Sequence, residues 1–91
     1  MKTFNEWLTE SVLIHIDSIA QQIKDNALPL QNIKQTLGQI TQLLGQDGHE
    51  SEPHYIHMAS VVLDDIVPAL ANNPAFHNDL AMLQALAQEY V

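Results

Sequence analysis

Apolar residues recur along this chain at steps of three and four, the spacing that places side chains on one face of an α-helix. From about residue 4 to residue 26 the stripe is Leu8, Val12, Ile16, Ile19 and Ile23, and Thr3 with Glu6 makes a capping box at its start. Asn26 to Pro29 breaks the pattern, and Pro29 suits the first turn of a second helix, over about residues 29–44. There Leu30, Ile33, Leu37, Ile40 and Leu44 form the stripe, with Gly45 placed where a helix end wants positive φ.

A polar loop follows, and Ser51 with Glu52 and Pro53 predicts the start of a third helix, over about residues 52–71. Its stripe is Tyr55, Met58, Ala59, Val62, Ile66 and Ala69. Pro68 sits inside that stripe. It has no N–H and clashes one turn back, so the helix is expected to kink or split near Asp64 or Asp65. Asn73 as cap and Pro74 as first residue open a fourth helix, over about residues 74–90, with Phe76, Leu80, Leu83, Ala87 and Tyr90 inward.

No segment alternates with period two, so residues 1–91 are expected to form one all-α domain. Short connections between four amphipathic helices predict a small antiparallel four-helix bundle, its third helix kinked or split near Pro68. In such a bundle the first and last helices are neighbours.

Charge narrows the function. Eleven acidic residues stand against three lysines, giving a net charge of −8. Neither nucleic acid nor an anionic membrane suits a chain without clustered cations, whereas a protein partner with a basic surface does. No apolar run approaches the roughly 18 residues of a membrane span, and the N-terminal residues do not form a secretory signal. A cytoplasmic location is the expectation. With five histidines in the chain the net negative charge shrinks toward acid pH, so binding to a basic partner is expected to weaken there.

Catalytic patterns do not emerge, and neither an enzyme nor a cofactor is expected. The chain has no cysteine and no Gly-x-Ser-x-Gly elbow. Histidine phosphotransfer domains are also four-helix bundles, but they carry lysine three residues after the histidine and glycine next. Here Ser60 and Val61 follow His57 at those offsets, and Ser18 and Ile19 follow His15, so the likeness ends at architecture. His49, His54 and His57 in the His- and acid-rich stretch 47–57 suggest an alternative, a metal-binding or metal-sensing protein. Against it, Asp64 is about 10 Å further along the helix than His57, and the nearer position is Val61. His54, His57, Asp64 and Asp65 read as a solvated polar face, and His15 as a ring packed at the rim of the first stripe.

The first and last helices carry apolar residues beyond their stripes. Trp7 and Ile14 on the first, and Met82 and Leu86 beside Tyr90 on the last, are expected to merge into one exposed patch. This predicts a non-enzymatic interaction module of the inhibitor, immunity, antitoxin-like or adaptor type. It would bind a partner stoichiometrically through Trp7, Ile14, Met82, Leu86 and Tyr90, and would form a homodimer.

Overall fold

Helical periodicity is met by helices throughout. The computed structural model describes residues 11–46 and 48–91, and every regular element among them is helical. Residues 11–14 are helical, His15 makes a turn, and α1 runs Ile16–Lys24. Asn26 then takes a left-handed conformation (φ 57°), and the Ala27 N–H donates to the Gln22 carbonyl, which ends the helix.

Helix α2 is Leu30–Leu44, with Pro29 as its N-cap residue. Gly45 does not adopt positive φ; it continues the helical conformation at φ −80°, and the left-handed glycine is Gly48, in the loop beyond. Ser51 does not cap the third segment either. Glu52 is the N-cap residue and makes no side-chain cap bond. The fourth start is as expected, with the Asn73 side chain accepting from the Ala75 N–H ahead of a 3-10 turn, Pro74–Phe76, and helix α5, His77–Gln88.

The third segment stays helical from Pro53 to Leu70 without splitting. It comprises α3 (Pro53–Val61), a π turn (Val62–Ile66) and α4 (Val67–Leu70). The Val67 N–H reaches back five residues to the Val62 carbonyl. This wider turn answers Pro68, which lacks an N–H and whose ring would strike the carbonyl four residues earlier in a regular α-helix.

The π turn also resets the buried face. Met58, Val62, Ile66 and Leu70 follow one another at steps of four, and all are buried. In an α-helix each such step overshoots by about 40°, which over three steps would carry Leu70 away from the core. One extra residue in the turn takes that rotation back. The expected inward residue Ala69 is therefore exposed, and Leu70 is buried in its place.

The core also holds Val12, Ile16, Ala20, Ile23, Ile33, Leu37, Ile40, Leu43, Leu44, Phe76, Leu80, Leu83, Ala87 and Tyr90. The expected stripe of the last helix is buried at every position. Leu30 departs from its stripe: as the first residue of α2 it lies beyond the packed turns and is 58% exposed. Ile19 is half-buried, with Ala20 beside it taking the inward place. Thr3, Glu6 and Leu8 lie outside the described residues.

Packing partners among the described residues centre on the third segment. Helix α1 packs mainly on α3, the π turn and α4, whereas α5 packs on α2 and on the same third segment. The third segment is thus central to the core, which accounts for its high density of fully buried residues.

Gly38 lies in the middle of α2, on its exposed side, and a Cβ built there meets no atom within 4 Å. Gly38→Ala is expected to stabilise the protein by about 1 kcal/mol, because alanine loses less backbone freedom in a helix and meets no obstacle. A higher urea midpoint at unchanged slope checks this.

Candidate functional site

Two large apolar side chains anticipated at the surface are there: Ile14 is 69% exposed and Met82 is 58% exposed. Ile14 stands on the first segment, which packs on the third, and Met82 stands on α5, which packs on α2 and on the third segment. Leu86 is half-buried and packs against the core. Tyr90 is not a surface residue. It is 7% exposed, and its hydroxyl donates to the Leu44 carbonyl at 3.2 Å and to the Gln46 carbonyl at 3.4 Å, tying the C-terminal turn to the end of α2. Trp7 lies outside the described residues.

Around Ile14 the structure builds a groove of about 280 Å³. Leu13, Ile14 and Ile16 supply one side from the first segment; Pro53, His54 and His57 supply the other from the start of α3. The sides meet at Asp17, whose two carboxylate oxygens accept from His57 Nε2 at 2.9 and 3.0 Å. Both side chains remain largely in water, so the pair aligns α1 with α3 more than it stabilises them.

The remaining histidines do separate work. His49 Nδ1 bonds a carboxylate oxygen of Glu52 at 2.8 Å, and its ring stacks on Tyr55 with centroids 4.3 Å apart. Tyr55 in turn stacks near Tyr90, so the loop after α2 is closed over the core by a row of three rings. His77 Nε2 donates to the Ala71 carbonyl, stapling the turn before α5. His15 is exposed in the turn ahead of α1 and not packed at the rim of the core.

His49, His54 and His57 therefore do not converge. Among the described residues no three His, Asp or Glu side chains come together as a set of metal donors. Asp47, part of the same acidic stretch, lies outside the described residues. Asp65 pairs with Lys24 Nζ at 3.4 Å, a second link between α1 and the third segment.

A wider groove of about 630 Å³ lies where the loops after α1 and α4 meet, and it accounts for the exposed Leu30. Leu28, Leu30, Leu70 and Phe76 line it with asparagines at the rim and no charged group.

Helical spacing alone puts His57 on a solvated face and gives Asp17 no role. The two are 40 residues apart, and no local pattern links them. The comparisons of this chain with protein-family models, with curated proteins and with solved structures give no match.

Proposed function

We propose that this chain is a small, acidic, non-enzymatic interaction module that acts by stoichiometric binding to a protein partner, as inhibitors, immunity proteins, antitoxin-like regulators and adaptors do. The observation that carries the reading is Ile14, a branched apolar side chain left 69% exposed above an apolar groove with a carboxylate at its edge. A net charge of −8 adds long-range attraction for a basic partner and speeds encounter. The four helical segments act as one antiparallel bundle, a rigid support on which a binding face needs little ordering. Met82, exposed on α5, is the natural place for self-association in the cytoplasm, and the two surfaces work independently.

Ile14→Glu and Met82→Glu test this. Both side chains are exposed, so each variant is expected to keep its helical circular dichroism and to melt within about 0.5 kcal/mol of the parent. Light scattering is expected to show loss of dimer in Met82→Glu alone, and partner capture is expected to be lost in Ile14→Glu alone. Unchanged mass and unchanged capture in both variants overturn the reading.

A further inference from the structure

Resting on that reading, we propose that the groove beside Ile14 receives an apolar side chain of the partner together with an adjacent arginine, and that His57 holds Asp17 in the arginine's place until the partner arrives. The walls from Leu13, Ile14 and Pro53 are apolar, and among the described residues the formal charge lining the groove is the Asp17 carboxylate. No lysine lines it. Lys24 is seven residues further along the first segment, about 10 Å by helical rise, and is engaged with Asp65.

The geometry at Asp17 selects the cation. One ring nitrogen of His57 serves both carboxylate oxygens, so two strong acceptors share a single donor. A guanidinium offers two parallel N–H groups at the spacing of a carboxylate and satisfies both oxygens at once; an ammonium does not. Asp17 is 74% exposed on its side chain, so a cation reaches it from solvent without moving either helix. His57 must be displaced for this, and its own side chain is open to water, which makes the exchange inexpensive.

The probe is the tetrapeptide acetyl-Ala-Leu-Arg-Ala-amide, titrated into the ¹⁵N-labelled full chain, with versions carrying Lys or Glu in place of Arg. Saturable shifts centred on Leu13, Ile14, Asp17 and His57 are expected, with Arg binding about three- to fivefold tighter than Lys and no saturation by the Glu peptide. Asp17→Asn is expected to erase the difference between the Arg and Glu peptides. His57→Ala, which removes the competitor, is expected to tighten the Arg peptide by about threefold.

Equal shifts from the Arg and Glu peptides overturn the proposal, as does unchanged affinity in His57→Ala or Asp17→Asn. Concentration-dependent shifts of the same amides without peptide assign the groove to a second copy and overturn the basic partner. Saturable binding at Met82 instead overturns this site and leaves the interaction-module reading standing. That wider reading falls only with the unchanged mass and capture of the two glutamate variants.

Discussion

Phe76→Ala is expected to cost about 3–5 kcal/mol, the range for deleting a large aromatic side chain from a packed interior. Phe76 has no exposed surface and sits in the short 3-10 turn that delivers the chain into α5. Its removal withdraws contacts from the core and from the floor of the wider groove together. Native domains are stable by only about 5–15 kcal/mol, and a domain of this size lies toward the lower end. The variant is therefore expected to melt at least about 12 °C lower, by the usual 4–8 °C per kcal/mol for small domains, or not to fold at physiological temperature. Urea denaturation followed by circular dichroism checks this against Met82→Ala, an exposed control expected to move by no more than about 0.5 kcal/mol. Similar midpoints for the two would contradict the burial of Phe76.

The second large effect comes from the π turn. If Val62–Ile66 holds one residue more than a regular helix, deleting Asp64 returns the segment to α geometry and keeps Ile66 and Leu70 on the face of Met58 and Val62. Pro68 then stands in an ordinary helix interior, which costs about 3 kcal/mol. Deletion of Asp64 alone is therefore expected to destabilise strongly, and Pro68→Ala in the same chain is expected to recover most of the loss. Deleting Gln39 from α2 has no such remedy. It rotates everything after it by about 100° and turns Ile40, Leu43 and Leu44 out of the core. Thermal melts of the three deletion variants decide the matter. If the Asp64 deletion with Pro68→Ala unfolds as readily as the Gln39 deletion, the π turn is not an insertion.

Much of the core was legible because a helix buries residues by angle alone. Phe76, Leu80, Leu83, Ala87 and Tyr90 were all found from spacing, and so were Ile33, Leu37 and Ile40. Errors gathered where angle alone does not decide. Leu30 has the right angle but lies at the helix end, where no neighbour covers it. Ala69 has the right angle only if the helix is regular, and Pro68 makes it irregular. The sequence pointed to the disturbance; whether it would be a break, a kink or a wide turn depended on which of Ala69 and Leu70 the core required.

The candidate site was legible in half. Ile14 and Met82 stand off their stripes, so their exposure followed from helical geometry. Tyr90 belongs to both readings by angle, and burial wins because its hydroxyl finds the carbonyls of Leu44 and Gln46. The Ile14 groove and the Asp17–His57 pair had no local signature.

What the sequence determined by itself is the helical class, the acidic character and most of the inward residues, because these follow from composition and from rotation within single helices. The tertiary structure alone decided the packing partners of the described helices, the tie of Tyr90 to Leu44 and Gln46, and the meeting of Asp17 with His57. Those depend on how four apolar faces share one core, a choice made by the fit between helices and written in no single one of them.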